Sequence, residues 1–137
     1  MSKIFVVGNT PAAAVCAIYL KTGNYDVTII KSDSKLKYKV TAVAGVDEPD
    51  NFTDDSYKQC EYLDINVIKE EVEKVEFKNG YILNDKYECD YLVVERDLYN
   101  LAGTKNLFVI NCRENAEGLV LAGEGCKTAL KMKDFVK

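Results

Sequence analysis

The spacing of apolar residues near the beginning of the chain predicts a strand, a helix and a second strand in succession. Residues 4–7 form an apolar run that predicts a buried strand, and this run stops at Gly8. Apolar residues then recur at helical spacing through residues 12–23, and a β-branched run follows at residues 27–30. Together they predict a βαβ unit over residues 3–31, which is the usual opening of a fold that binds dinucleotides.

Strand and turn signals dominate the middle of the chain. Residues 32–55 are polar and predict a loop with one short strand at residues 39–43. Asn79-Gly80 lies between two β-rich arms, which is the strongest short-range signal for a hairpin. A second turn follows it, so the segment from about residue 70 to residue 89 predicts an antiparallel β-meander.

Two further apolar runs and a helix complete the predicted sheet. Tyr91–Val94 and Leu107–Ile110 are apolar throughout, as expected of parallel strands that are buried on both faces. The closing strand and the C-terminal helix occupy residues 106–133. The sequence therefore predicts one α/β domain over residues 1–137, with a Rossmann-like parallel sheet, flanking helices and a small antiparallel β-meander.

Each predicted helix should bury one face. The first helix has large apolar residues on one side: Val15, Ile18 and Tyr19. The last helix contains glycines that allow close packing against a sheet: Gly118, Gly123 and Gly125.

The composition is that of a folded protein without a membrane segment. Of the 137 residues, 47% are hydrophobic and 29% are charged, which is ordinary for a globular chain. No apolar run reaches the roughly 18 residues that a membrane span requires. The N-terminal residues enter the first strand directly, so we expect no signal peptide and a cytoplasmic location.

The available side chains limit the chemistry. The five cysteines are scattered without a CxxC pair, which disfavours a disulfide framework, a zinc site and a dithiol redox centre. Histidine is absent, so the commonest general base and metal ligand is missing. We therefore expect no catalytic residue and no metal site.

The distribution of charge gives two expectations about partners. The net charge of −4 disfavours nucleic acid as the main partner. A local basic cluster nevertheless follows the second strand: Lys31, Lys35, Lys37 and Lys39. The cluster is either a solvated loop or a direct contact with nucleic-acid phosphates.

Three segments together resemble the thioredoxin reductase family. GNTPAAAVCAIYL (residues 8–20) is similar to GxGPAAxxAAIYxAR, the opening of that family's flavin-binding domain. KYECDYLVVE (residues 86–95) is similar to the meander and strand that lead to the family's DAVIxATG motif. NLFVINCRENAEGLVLAGEGCKTAL (residues 106–130) is similar to the closing stretch, GVFAAGDV followed by QAxTAAGxGCxAA. The similarity runs in order through essentially the whole chain and implies an FAD/NAD(P)-binding-domain-like fold.

The resemblance implies the flavin-binding half alone. In the family, a nicotinamide-binding domain with the CxxC pair is inserted after the ATG strand, whereas Glu95 to Lys105 spans that junction directly here. The chain thus resembles a truncated, degenerate thioredoxin reductase-like protein, with neither a site for the hydride donor nor a redox dithiol.

Most positions that contact the cofactor in the family carry a different residue type here. Gly8 matches the first fingerprint glycine, but Thr10 replaces the second, where a pyrophosphate meets the helix N-terminus. Lys31 replaces the acid that holds the ribose. The ATG turn, the GD pair and the flavin-facing glutamine fall at unrelated residues: Glu95-Arg96-Asp97, Asn111-Cys112 and Glu117. The resemblance implies that the residues that build the fold persist while the FAD contacts are lost.

These observations predict a non-catalytic binding protein built on a relic reductase fold, with no cofactor. It would be a structural or regulatory subunit of a larger protein or ribonucleoprotein assembly, such as a ribosome. We expect its interface near Glu95–Lys105, because the missing second domain would leave apolar surface exposed there.

Two alternatives stay open. A protein that still binds FAD or another nucleotide would hold it through altered contacts at five residues: Gly8, Asn9, Thr10, Ala12 and Lys31. An enzyme resembling a flavin-dependent disulfide reductase would need a separate partner for the missing half, with Cys112 or Cys126 as its thiol.

Overall fold

The computed structural model describes residues 2–136, which form three sheets and three α-helices. In chain order the strands are β1 (Lys3–Gly8), β2 (Asp26–Lys31), β3 (Tyr38–Lys39), β4 (Asn66–Lys69), β5 (Val75–Phe77), β6 (Tyr81–Leu83), β7 (Tyr87–Cys89), β8 (Tyr91–Val94), β9 (Leu107–Val109) and β10 (Ala116–Glu117). The helices are α1 (Pro11–Thr22), α2 (Phe52–Tyr62) and α3 (Gly118–Met132). None of these helices is long and apolar enough to cross a bilayer.

The central sheet is parallel and has the strand order β4-β2-β1-β8-β9. Strand β1 lies in the middle, with the earlier half of the chain on one side of it and the later half on the other. The last residue of β1, Gly8, is in register with Lys31 of β2, and Val7 is in register with Val94 of β8. The crevice between the carboxyl ends of β1 and β8 is therefore the topological switch point of the sheet.

Helices cover one face of the central sheet, and the antiparallel meander β5-β6-β7 covers the other. Ile4 and Val6 of β1 pack on the helix side, whereas Phe5 and Val7 pack on the meander side. Because both faces are buried, the strands are continuous apolar runs. The structure confirms the predicted α/β fold with a Rossmann-like parallel sheet and a small β-meander.

Helix α1 buries its small residues and not the large apolar face that the sequence predicts. Tyr19 is 41% exposed, and Val15 and Ile18 are only partly buried. The cause is the contact with α3, where a Cβ added to Gly125 would overlap the carbonyl oxygen of Ala12. Backbones this close leave room only for small side chains between them. The prediction that the glycines of the last helix pack against a sheet was therefore wrong, because Gly125 packs against α1 and a Cβ added to Gly123 meets no atom within 4 Å.

Two shorter elements also differ from the prediction. The strand expected at residues 39–43 is limited to β3, which pairs in parallel with β10, a strand that the sequence pattern did not indicate. The meander lies within the predicted segment, and Asn79 has the positive φ of 59° that its turn requires.

Candidate functional site

The candidate site is the crevice at the carboxyl ends of β1 and β8, where folds of this topology bind their ligands. Asn9 and Thr10 carry the chain from β1 into α1. Thr10 caps the helix, because its backbone is extended (φ −106°, ψ 172°) and its Oγ1 accepts a hydrogen bond from the amide of Ala12 at 3.1 Å. With the Ala12 amide bonded to Thr10, the other amide groups at the beginning of α1 can bind an anion.

The carboxylate of Glu95 occupies this crevice. Its Oε1 accepts a hydrogen bond from the amide of Asn9 at 3.0 Å. Its Oε2 accepts from the amides of Thr10 and Ala13, each at 3.0 Å, and from the hydroxyl of Thr10 at 2.5 Å. Glu95 is only 2% exposed, so protein groups surround the carboxylate almost completely.

Backbone dipoles, and not a cation, face the charge of Glu95. Among the ion pairs formed by residues 2–136, none includes Glu95. The three amides and the positive end of the α1 dipole supply the compensating charge. Hydrogen bonds to an ionised acceptor are about twice as strong as neutral ones, so this arrangement can hold a buried carboxylate.

Gly8 has no side chain because Glu95 fills the space that a side chain would need. A Cβ added to Gly8 would overlap the Cδ of Glu95 and would lie only 2.6 Å from its Cγ. Gly8 matches the first fingerprint glycine of the family, but in this chain the glycine makes room for an internal carboxylate.

The buried carboxylate also acts on the thiols and the phenol around it. Burial, with the charge of Glu95 second, raises the pKa of Cys112 to about 12. Burial is also the main cause that raises the pKa of Cys16 and of Tyr57, and Glu95 contributes to both. The Tyr57 hydroxyl donates to the carbonyl oxygen of Thr10 at 2.8 Å. These groups are protonated at neutral pH, so neither Cys16 nor Cys112 is an activated nucleophile.

Lys31 lies at the end of β2 but does not join the amides that bind Glu95. Its Nζ is 4.7 Å from the centre of the Tyr57 ring, at a distance that allows a cation–π contact. The two residues line an open cleft of about 350 Å³ together with Lys58 and Lys69. Tyr57 lies between this cleft and the crevice that Glu95 fills, because its ring lines the cleft and its hydroxyl bonds to Thr10.

The residues present do not fit the dinucleotide that the resemblance implies. The amides that would face a pyrophosphate are bonded to Glu95. Glu117, at the flavin-facing position, accepts hydrogen bonds from the hydroxyl and amide of Thr41 at 2.6 and 2.9 Å. These bonds lower the pKa of Glu117 and fasten the loop after β3. Both acidic side chains are thus engaged within the protein.

Four of the predicted nucleotide-binding residues lie together at the crevice: Gly8, Asn9, Thr10 and Ala12. The residue that sequence reasoning missed is Glu95, which the family pattern marked only as a departure from the ATG turn. The sequence contains a signal for a site at Glu95, because this acidic residue directly follows the buried run Tyr91–Val94. The sequence pattern did not, however, establish that β8 pairs with β1 and brings this residue to the N-terminus of α1.

The predicted basic cluster spreads along an exposed loop. Lys35, Lys37 and Lys39 are exposed. Arg96 donates to the carbonyl oxygen of Lys35 at 3.1 Å and pairs with Glu114 at 2.9 Å, so an acidic residue lies close to this loop. Within residues 2–136, no group of three Cys, Asp or Glu residues is arranged to hold a metal ion.

Comparisons with known proteins bear on the fold. No family profile and no curated protein matches the sequence. Among solved structures, a thioredoxin reductase from Streptococcus pyogenes is 21% identical, with a TM-score of 0.54 over 69% of this chain and 34% of its own. A ferredoxin-flavin thioredoxin reductase from Clostridium acetobutylicum is also 21% identical, with a TM-score of 0.53 over 68% of this chain and 36% of its own. A thioredoxin reductase from Gloeobacter violaceus is 15% identical, with a TM-score of 0.56 over 68% of this chain and 33% of its own.

These likenesses show the fold. The chain spans about a third of the length of the structures it matches. Its fold is thioredoxin reductase-like, and it corresponds to a part of such a reductase, as the sequence resemblance implied.

Proposed function

We propose that this chain is a non-catalytic binding protein, which uses a reductase-like fold as the scaffold for a structural or regulatory subunit. The assembly it joins is a larger protein or ribonucleoprotein complex, such as a ribosome. The observation that carries the proposal is the Glu95 carboxylate in the crevice. This carboxylate binds the amide groups that a dinucleotide phosphate would need. We therefore assign the binding function to the surface of the protein.

The state of the thiols supports a role without redox chemistry. Burial raises the pKa of Cys60, Cys89 and Cys112 to about 12 in each case. A thiol with so high a pKa contains almost no thiolate at neutral pH, and the thiolate is the reactive form. All five cysteines are free. In the enzyme alternative the reactive thiol is Cys112 or Cys126, both of which are partly buried, and the raised pKa of Cys112 argues against Cys112 in this role.

The proposed contact surface lies on α3, β9 and the turn after α3. Five apolar side chains there are each about half exposed: Val109, Leu119, Val120, Leu130 and Phe135. We call these residues the α3–β9 surface. Lys127 and Lys131 line the same groove, of about 490 Å³, as Val109 and Leu130. Glu124 also lines this groove and pairs with Lys127 at 3.6 Å, so Lys131 is the cation of the groove without such a pair among the described residues. The partner that fits this surface is therefore a protein segment that is mainly apolar, with an acidic side chain opposite Lys131.

The junction that the sequence analysis favoured as the interface offers less apolar surface. Between Glu95 and Lys105, Leu98 is 41% exposed, whereas Leu101 is buried. The junction stays a prediction, and the α3–β9 surface is the better supported place for a partner.

The first experiment is an absorbance spectrum of the purified protein, with mass spectrometry of any small molecule that denaturation releases. A colourless, ligand-free and folded protein is the expected result. A flavin present at nearly one equivalent would contradict the proposal, because it would require an open crevice.

The second experiment tests the surface by native purification of the tagged protein with its partners. Leu130→Asp should release a partner bound to the α3–β9 surface, because a charge replaces a half-exposed apolar contact. Tyr62→Ala is the matched control, since Tyr62 is 84% exposed on α2. Retention of the same partners by the Leu130 variant would rule out this surface.

Direct contact with RNA is a further part of this proposal and rests on the exposed lysines of the loop after β2. Alanine at Lys35, Lys37 and Lys39 together should weaken RNA binding and reduce its salt dependence. An unchanged salt dependence would remove this loop from the interface.

A second candidate function is nucleotide binding through altered contacts. The open cleft of about 350 Å³ favours it, because its three lysines outnumber its two carboxylates beside the Tyr57 ring: Lys31, Lys58 and Lys69 against Asp54 and Glu61. Lys31→Ala should then abolish nucleotide binding while the fold stays intact. Binding that persists unchanged in this variant would exclude the cleft.

A further inference from the structure

We infer that Glu95 is an internal anion that stands in for the phosphate of a bound dinucleotide and holds the beginning of α1 against β8. This inference goes beyond the proposed function, because it explains how the fold stays intact with its crevice closed. It also predicts that the crevice becomes an anion site once the carboxylate is removed.

The hydrogen bonds show that the carboxylate lies where an anion is needed. An α-helix leaves its first amide groups without partners inside the helix. In α1, the amide of Ala12 bonds to Thr10 Oγ1, and the amide of Ala13 bonds to Glu95 Oε2. Asn9 and Thr10, just before the helix, also give their amides to Glu95. One carboxylate thus satisfies three backbone donors.

Three residues are adapted to one another around this carboxylate. Gly8 leaves space that a Cβ would take from the Glu95 side chain. The Thr10 hydroxyl donates to Glu95 and accepts from Ala12, so one side chain caps the helix and fixes the carboxylate. Thr10 therefore suits an internal carboxylate at the position where the resemblance implies a glycine for a pyrophosphate.

The carboxylate joins elements that are far apart in the chain. Its backbone partners in the β1–α1 turn and in α1 lie 82 to 86 residues before it. The amide of Glu95 itself bonds to the carbonyl oxygen of Val7 at 3.3 Å, so the backbone of this residue is fixed to β1 as well. Loss of the carboxylate should therefore loosen α1 from the centre of the sheet.

The test compares two substitutions in buffer without phosphate or sulfate. Glu95→Ala removes the carboxylate and leaves space, so its Tm should fall and should rise again when inorganic pyrophosphate is added. At ten times the dissociation constant, binding to the native state alone raises Tm by about 5 °C for a domain of this size. Glu95→Gln removes the charge but fills the space, so its Tm should fall without any rescue by pyrophosphate.

Glu71→Ala is the matched control. The Glu71 carboxylate accepts hydrogen bonds from the Ser32 hydroxyl at 3.1 Å and the Asp33 amide at 3.0 Å, at the end of the neighbouring strand β2. It is not at a helix N-terminus, so pyrophosphate should not rescue its loss. The wild-type protein should also show no rise in Tm.

The inference is overturned if Glu95→Ala is as stable as the wild type, or if pyrophosphate leaves the Tm of a destabilised Glu95→Ala unchanged. If Glu95→Ala does not fold with or without pyrophosphate, Glu95→Asp decides, because it keeps the charge. Cooperative unfolding in Glu95→Asp and its loss in Glu95→Gln support the inference, whereas equal stability of these two variants refutes it. A flavin in the purified wild type would refute the proposed function too, but failed rescue alone leaves that function standing.

Discussion

Replacing Gly125 by alanine tests the close contact of α1 with α3. The added Cβ would overlap the carbonyl oxygen of Ala12, and it would lie 3.0 Å from the carbonyl carbon of Ala12 and 3.1 Å from the amide nitrogen of Cys16. These atoms belong to the backbone and cannot rotate away, so α1 has to move. Overpacking of this kind typically costs about 1–3 kcal/mol.

Alanine also gains about 1 kcal/mol over glycine inside a helix, so the net loss for Gly125→Ala is roughly 0–2 kcal/mol. Gly123 provides the matched control in the same helix, because a Cβ added there meets no atom within 4 Å. Gly123→Ala should therefore stabilise the protein by up to about 1 kcal/mol. The two variants should differ by about 1–3 kcal/mol although they carry the same chemical change, because only Gly125→Ala bears the overpacking cost.

Urea or thermal unfolding measures this difference directly. For a domain of this size, each kcal/mol corresponds to a shift of roughly 3–5 °C in Tm, so the Tm values of the two variants should differ by about 3–15 °C. Equal Tm values for Gly123→Ala and Gly125→Ala would refute the inferred contact between α1 and α3.

Three further outcomes are expected. Gly8→Ala should lower Tm because its Cβ overlaps Glu95, and the loss should shrink when Glu95→Ala is present as well; additive losses would contradict this coupling. Alkylation should be slow in the native protein and fast in denaturant at the three buried thiols, Cys16, Cys60 and Cys89, because burial raises their pKa. Rapid labelling of these thiols in the native state would contradict this expectation. The hydrogen bonds from Thr41 lower the pKa of Glu117 in the folded state. Their contribution to the free energy of unfolding is therefore fully present above the unfolded-state pKa of about 4.3, and it is lost as the pH falls through the lower folded-state pKa. Glu117→Gln should abolish this acid-dependent loosening, which hydrogen exchange at the Thr41 amide would show.

The positions of the central strands along the chain were predictable because burial on both faces leaves unbroken apolar runs. Residues 4–7 lie within β1, and Tyr91–Val94 forms β8 as predicted. The turn at Asn79-Gly80 was predictable for a different reason, since its backbone conformation restricts the residue types that fit. Both signals are local, so a single sequence contains them.

The contacts that close the crevice were not predictable, because they depend on how distant elements pair. The charge of Glu95 marked a departure from a family pattern, but its partners are amides more than 80 residues earlier in the chain. The residues that α1 buries were not predicted either, for a related reason. Helical spacing favoured Val15, Ile18 and Tyr19, whereas Gly125 of α3 brings two backbones so close that small residues line the contact.

The covalent attachment of the Glu95 carboxylate determines how this crevice is filled from one molecule to the next. A dissolved ligand fills a site in proportion to its concentration, whereas a tethered group is present at a fixed effective concentration, on the order of millimolar or more. Every copy of the chain therefore carries one carboxylate for one crevice. If Glu95 is the internal anion that we infer, this site has no separate empty and loaded forms, and synthesis of the polypeptide alone completes it.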